Sequence, residues 1–420
     1  LTWFQLTATV SNDFMYVSDV VISPHNNQRM YAATNTGVWR SDDGGITFNH
    51  TLNPSDGQGN PLYEGCNDLS MRSDVDDDWL LVSCASRSTD DRYYLPGLLP
   101  TACNGPCDAR VYLNQAAQHS DDWEVVLTEP GMGRTEMAIH QANQNIIYAS
   151  SVNTNGGPDL NNDGQPDLDN GLHAIFRSDD GGQSWRAQLR NTSNDLLSTQ
   201  LFSYAEGALA RSCDPNGSVW YYSAGWYNQA IAVNPLDPNQ VWVAGMEIYR
   251  SDDGGQSFGL ASHWDALFFN NPDYNGAYVH ADQHALIFHP DYDGDNNKTM
   301  YAINDGGMFL TEDDSAPVQT GNDAACEPVT DSVQWQSINH NYGTTQFYAG
   351  AVFANGRSYM AGAQDNGTVY GSDSLGTNGW FAVGGGDGAD LVINPSDDSN
   401  FYIASQNANI FRTNDFGSSY

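Results

Sequence analysis

One short phrase recurs four times along the chain and limits what the chain can fold into. It reads Ser41-Asp-Asp43-Gly-Gly45-Ile-Thr-Phe48, Ser178-Asp-Asp180-Gly-Gly182-Gln-Ser-Trp185, Ser251-Asp-Asp253-Gly-Gly255-Gln-Ser-Phe258 and Thr413-Asn-Asp415-Phe-Gly417-Ser-Ser-Tyr420. Ser/Thr-x-Asp-x-Gly-x-x-aromatic describes a tight hairpin. The carboxylate accepts nearby backbone N–H groups, glycine supplies positive φ, and the aromatic fills space beside the next sheet. Asp43, Asp180, Asp253 and Asp415 are therefore read as structural, not catalytic.

The repeat extends upstream of each turn. Asp19-Val-Val-Ile-Ser-Pro24 before Met30-Tyr-Ala-Ala matches Ala230-Ile-Ala-Val-Asn-Pro235 before Val241-Trp-Val-Ala, and Asp390-Leu-Val-Ile-Asn-Pro395 before Phe401-Tyr-Ile-Ala. Each unit is a short apolar run, a turn, a second run, a loop and a strand entering the phrase, which makes one four-stranded sheet. The aromatics Phe48, Trp123, Trp185, Phe258, Trp335, Trp380 and Tyr420 mark the ends of seven such units. The expected fold is all-β: a single seven-bladed β-propeller over residues 1–420. The segment Leu1-Thr-Trp3-Phe-Gln-Leu6 reads as the outermost strand of a blade. A strand at 2–9 is accordingly expected beside 407–412, closing the ring in the last blade without a free edge. A chain that starts in mid-motif reads as part of a longer precursor.

The phrase resembles the Asp box, or BNR repeat, of sialidase-like propellers, a group that also includes xyloglucanase-type glycoside hydrolases and sortilin-like receptors. The resemblance covers nearly the whole chain and implies the propeller fold. The Arg-Ile-Pro segment that opens the sialidase arginine triad is absent. The xyloglucanase type places one catalytic Asp in a Tyr-x-x-x-Asp-x-Gly-Gly loop. Here that place reads Tyr31-Ala-Ala-Thr-Asn35-Thr-Gly37, with Asn for Asp, while a second catalytic place corresponds to Asn304-Asp305-Gly306-Gly307-Met308-Phe309. The chain is also similar to uncharacterised secreted BNR-repeat proteins that carry His-x-Asp-x-His, Asp-Gly-Gly and Gln-Asp-Asn-Gly segments.

Charge narrows the partners. Lys and Arg number 15 against 52 Asp and Glu, a formal net charge of −37, which argues against nucleic acid and anionic membrane surfaces. No run approaches the roughly 18 apolar residues of a membrane span. Six cysteines, Cys66, Cys84, Cys103, Cys107, Cys213 and Cys326, form no Cys-x-x-Cys metal pattern and read as disulfides of a secreted or cell-surface protein. Spacing favours Cys103 with Cys107 and, less strongly, Cys66 with Cys84.

Long insertions fall at 85–110, 152–172, 49–67, 194–228 and 259–283, all on the face opposite the Asp boxes. That elaborated face is the expected working surface. One further insertion, 312–334, is expected on the box face. Several polar groups converge on the working face. His280-Ala-Asp282-Gln-His284 enters an innermost strand, where alternation puts three possible transition-metal ligands on one side; the other reading is a hydrogen-bonded cluster. Asp305, Asp365 and Asp387 form an acidic rim and are the candidate catalytic carboxylates of a glycosidase.

Asp159-Leu-Asn161-Asn-Asp163-Gly164-Gln165-Pro-Asp167-Leu-Asp169 follows a calcium-loop pattern, with oxygen ligands at alternate positions and glycine at the sixth. A second acidic turn, Asp291-Tyr-Asp293-Gly-Asp295, reads either as a calcium site or as a solvated hairpin. The sequence reading is thus an extracellular, calcium-stabilised propeller that binds a polysaccharide, glycoprotein or protein partner on the face opposite the boxes. The alternative is a xyloglucanase-like hydrolase using the rim carboxylates. Exposed aromatics, among them Trp220, Tyr222, Trp226, Tyr227 and Trp264, suit sugar binding or the packing of long loops.

Overall fold

In the computed structural model, the described residues are 3–55, 65–85, 108–160, 164, 166–264, 276–326, 331–340, 345–377, 379–406 and 409–416. They form seven antiparallel sheets in two compact units, Leu1–Ile338 and Asn339–Tyr420. The first unit holds five four-stranded blades, whose innermost strands are Val17–Ile22, Cys66–Met71, Met132–Ile139, Ala230–Val233 and Gln283–Phe288. These strands lie side by side in chain order. The second unit holds a four-stranded blade beginning with Phe347–Val352 and a three-stranded sheet of Leu391–Ile393, Phe401–Ser405 and Asn409–Thr413. We number the blades 1 to 7 along the chain.

The aromatic ticks of the sequence have a structural meaning. Phe48, Trp123, Trp185, Phe258, Trp335 and Trp380 each stand immediately before the first residue of an outermost strand, at Asn49, Glu124, Arg186, Gly259, Gln336 and Phe381. Tyr420 lies outside the described residues.

The turn motif closes through one hydroxyl and one carboxylate. Ser178 Oγ donates to Asp180 Oδ1 at 2.8 Å and accepts the Gly182 N–H at 2.9 Å. Asp180 then accepts the backbone N–H of Ser184 at 2.9 Å and its hydroxyl at 2.5 Å. The same bonds recur at Ser41/Asp43 and Ser251/Asp253. In each of these turns two successive glycines have positive φ, 76° and 89° for Gly181 and Gly182, a conformation that side chains with a Cβ rarely adopt. The fourth turn keeps the Thr413 to Asp415 bond at 2.7 Å, but Phe416 occupies a left-handed position at φ 60°. Its ring packs on Phe353, Tyr370 and Phe401, contacts that offset the backbone strain.

Blades are joined by apolar cores and by polar latches. Each of the five buried clusters is shared by two successive blades, such as Leu81, Val111, Ile147 and Phe176 between blades 2 and 3. An arginine stands directly before each motif. Arg40, Arg177 and Arg250 pair through Nε with Asp42, Asp179 and Asp252 and extend Nη1 to the following blade. There Arg40 reaches the Ala117 carbonyl, Arg177 reaches Asn239 Oδ1, and Arg250 reaches the carbonyls of Asp314 and Ala316 at 2.5 and 2.6 Å. Acids on innermost strands do the same near the axis of the blades. Asp19 Oδ2 accepts the Leu69 N–H at 3.0 Å, and Asp68 Oδ2 accepts the Met137 N–H at 3.2 Å.

Two expectations are corrected. Residues 3–9 form no strand: Thr7–Thr9 and Asn12–Phe14 are 3-10 turns, and the last sheet has three described strands. The segment folds onto blade 1 instead, where Phe14 packs against Trp39 and Phe48 at ring distances of 5.4 and 5.0 Å. The turn formers Ser11-Asn12-Asp13 bring it there, leaving Trp3 and Phe4 exposed. The insertion 312–334 likewise does not stay on the box face. Gln319 exchanges both backbone hydrogen bonds with Leu260, extending the two-residue outer strand of blade 4. Beyond it Ala324 and Ala325 enter the core beside Leu201 and Leu209, and Cys326 is bonded to Cys213. Ala316, Val318 and Val333 of the same insertion are covered by the core shared by blades 4 and 5.

Cys66 and Cys84 form the expected disulfide, directly opposite one another on paired strands. Cys103 and Cys107 lie outside the described residues.

Candidate functional site

A connected polar group lies at the mouth of blade 5, opposite the Asp boxes. His284 is in the innermost strand, at an irregular step in the register between Gln283 and Ala285. His280 and Asp282 precede the strand, and Asp282 has φ 63°. The simple alternation read from His-x-Asp-x-His therefore does not hold, because a left-handed residue interrupts it. His280 Nδ1 lies 3.0 Å from the Ala281 carbonyl, and its ring rests on Gly306, where an added Cβ would come within 2.3 Å of the imidazole. His284 Nε2 lies 2.7 Å from Asp305 Oδ1. Among the described residues, no three His, Cys, Asp or Glu side chains form a group placed to hold a metal.

Two residues not singled out as ligands complete the cluster. Tyr227 donates its hydroxyl to Asp305 Oδ2 at 2.9 Å and sets its ring edge-on to His284 at 5.1 Å. Asn228, fully buried, donates its amide to Asp282. Both end the 194–228 insertion, which Arg134 holds against blade 3 by donating to the Tyr227 carbonyl at 2.8 Å, the Trp226 carbonyl at 3.1 Å and Glu136 at 2.6 Å. Asp305 N–H reaches the Asp282 carbonyl at 3.3 Å, so the two acids share one stretch of backbone.

Electrostatics separates these acids. Burial raises the Asp282 carboxyl and the charge of Asp305 adds to this, against the opposing bond from Asn228. Burial also works upward on Asp305, but the bonds from His284 and Tyr227 outweigh it and hold that carboxyl below its ordinary value. On the neighbouring inner strands, burial raises Glu136 against the pull of Arg134, and burial together with Glu136 and Asp19 raises Asp68 well above the usual carboxylate range.

Asp365 and Asp387 belong to the second unit. Asp365, at φ 56°, donates its backbone N–H to Asp387 Oδ1 at 2.9 Å, and the Asp387 N–H is capped by Gln406 at 2.9 Å. The Tyr348 hydroxyl is raised by desolvation and by both carboxylates.

Asp159 folds back over its loop so that Oδ2 accepts the Gly164 N–H at 2.9 Å, with Gly164 at φ 87°. Asp167 Oδ2 accepts the Leu160 N–H at 2.6 Å, and buried Leu168 anchors the loop beside Asp169. Asn161, Asp163 and Gln165 lie outside the described residues. In the second acidic turn, between Asp291 and Asp295, Asp293 Oδ1 caps the N–H groups of Asp295, Asn296 and Asn297 at 2.8–2.9 Å. These bonds belong to a hairpin turn.

No protein-family model and no curated protein matches this chain. Solved structures do. A GH74 xyloglucanase from Xanthomonas campestris is 15% identical with a TM-score of 0.50, covering 95% of this chain and 57% of its own. This chain thus spans little more than half the length of that enzyme. YCF48 from Cyanidioschyzon merolae is 12% identical over 94% of each chain, with a TM-score of 0.40. A GH74 enzyme from Niastella koreensis is 14% identical, with a TM-score of 0.29, over 95% of this chain and 62% of that one. At such identity the xyloglucanase likeness speaks for fold alone. Together with the seven sheets it makes this an all-β, seven-bladed β-propeller.

Proposed function

We propose that this is an extracellular β-propeller that binds a glycan or protein partner on the face opposite the Asp boxes, through the Tyr227–Asp305–His284 cluster and its neighbours Asn228 and Asp282. The observation that carries this reading is the use made of the rim carboxylates. Both oxygens of Asp305 accept side-chain donors, and Asp387 caps a backbone N–H. Such acceptors are built for recognition and rigidity. The disulfides and the acidic balance support an extracellular setting.

Calcium in the 159–169 loop belongs to the same proposal. Asp159 and Asp167 offer carboxylate oxygens on either side of a glycine turn, the hard-oxygen chemistry that Ca²⁺ takes. Asp291 and Asp295 flank a turn already closed by Asp293, and we assign them no ion.

A hydrolytic reading has one observation in its favour: Asp282 is raised and Asp305 lowered within one cluster, the separation that an acid and a base require. The xyloglucanase among the structural neighbours gives the substrate class to try first. Binding to immobilised xyloglucan and other neutral and acidic polysaccharides is measured alongside release of reducing ends. Binding without hydrolysis, weakened in Asp305→Asn, is expected. Turnover abolished by Asp305→Asn or Asp282→Asn would replace the binding reading with the hydrolytic one.

A further inference from the structure

Among the described residues, the Asp282 end of the cluster holds a buried acceptor that no donor meets. Asn228 gives its amide N–H to Asp282, while its own Oδ1 is buried with no donor among the described residues. Exchanging the amide oxygen and nitrogen does not repair this, since oxygen would then face the carboxylate. An unmet buried acceptor costs about 1–3 kcal/mol. The bonds that neighbouring basic groups make go to other partners. Arg134 serves Glu136 and two carbonyls, His284 serves Asp305, and His280 Nδ1 lies against the Ala281 carbonyl. Burial and the charge of Asp305 raise Asp282 against the opposing Asn228 bond and the two nearby histidines, so the balance still disfavours its ionised form. Tyr227, 38% exposed, presents a ring on which a cation can rest. The net charge of −37 favours the approach of basic groups.

We propose that Asp282, Asn228 and Asp305 form a pocket for a lysine or arginine side chain presented by a basic segment of a protein partner. An ammonium or guanidinium group brings several N–H donors and one positive charge, so a single group meets an orphaned acceptor and a carboxyl raised by burial. A neutral sugar hydroxyl supplies the donor without the charge. The proposal rests on the binding reading above and narrows its ligand.

The test uses the full chain and isothermal titration at fixed ionic strength with capped pentapeptides Gly-Gly-X-Gly-Gly, X being Lys, Arg or Leu, and with a neutral xyloglucan oligosaccharide. Asp282→Asn is the informative variant, because Asn tolerates the left-handed backbone at this position and keeps an oxygen for the Asn228 amide. Asp121→Asn, an exposed acid in blade 2, controls for general acidity. The Lys or Arg peptide is expected to bind more tightly than the Leu peptide, and Asp282→Asn to weaken it by about tenfold or more, as loss of a charge-assisted bond does. Asp121→Asn is expected to leave binding unchanged. Equal losses in the two variants, or equal binding of Lys and Leu peptides, would overturn the proposal. If the oligosaccharide binds and Asp305→Asn abolishes that binding while the Lys peptide is indifferent, the inference falls and the binding reading stands. If no probe binds, both fall.

Discussion

Asp68 shows how one residue can be both a fastener and a cost. Its carboxylate ties blade 2 to the Met137 N–H of blade 3, yet burial and the charges of Glu136 and Asp19 raise it far above an ordinary aspartate. A carboxyl whose folded value exceeds its unfolded one contributes stability that is complete below the unfolded value and is lost as pH rises through the folded value. Asp68→Asn keeps an oxygen for the Met137 bond and removes the charge. It is therefore expected to melt higher than wild type at pH 7, with the difference shrinking as pH is lowered toward about 4, the ordinary aspartate range, and gone below it. A lower melting temperature at pH 7 would show that the bond needs the full carboxylate. Asp305 has the opposite sign: its lowered value adds stability above the unfolded range that is lost in acid.

At the scale of the element, the box turn is a fastener between blades as well as a hairpin. Arg250 is nearly buried, and its guanidinium bonds two carbonyls of blade 5 through Nη1 while Nη2 donates to Asp252 at 3.0 Å. In the last box Asn414 replaces that Asp, and exposed Arg412 lies over the Tyr402 ring at 5.7 Å. Arg250→Ala leaves two carbonyls and a carboxylate without their cation and is expected to cost about 2–3 kcal/mol, the scale of hydrogen bonds to a charged group. Arg412→Ala is expected to cost well under half as much. Thermal melts of the two variants decide it, and equal shifts would refute the latch. The pattern was open to reading, since Arg precedes all four boxes in a chain with 15 basic residues. The boxes and their aromatics were legible because turn chemistry is local. The His280–His284 cluster was only half legible. Positive φ at Asp282 leaves no mark in the residue name, and Tyr227 and Asn228 meet their partners from 54 to 78 residues away.

For the whole molecule, repetition made seven sheets readable, whereas the insertions followed no repeat. Cys213 and Cys326 are 113 residues apart, and nothing in the spacing pairs them. The 159–169 loop supplies the test at this scale. A cation bound only by the folded chain adds stability by mass action, about 2.7 kcal/mol at a hundredfold excess over the dissociation constant. Chelator is expected to lower the melting temperature of wild type and to leave Asp159→Ala/Asp167→Ala unchanged. Identical chelator responses in the two proteins would remove calcium from this loop.

The Cys213–Cys326 bridge also alters how the chain transmits force. Pulled from its two ends, the oxidised polypeptide carries tension through the sulfur bond and bypasses the segment between two cysteines 113 positions apart, the whole of blade 4 included. Roughly 400 Å of contour is thereby withheld from extension. Blade 4 and the strands Gln283–Phe288, Met300–Asn304 and Gly307–Thr311 of blade 5 are mechanically shielded until the bridge is reduced, so under tension an oxidising medium keeps the region of the ligand cluster folded while blades outside the bridge can be drawn out.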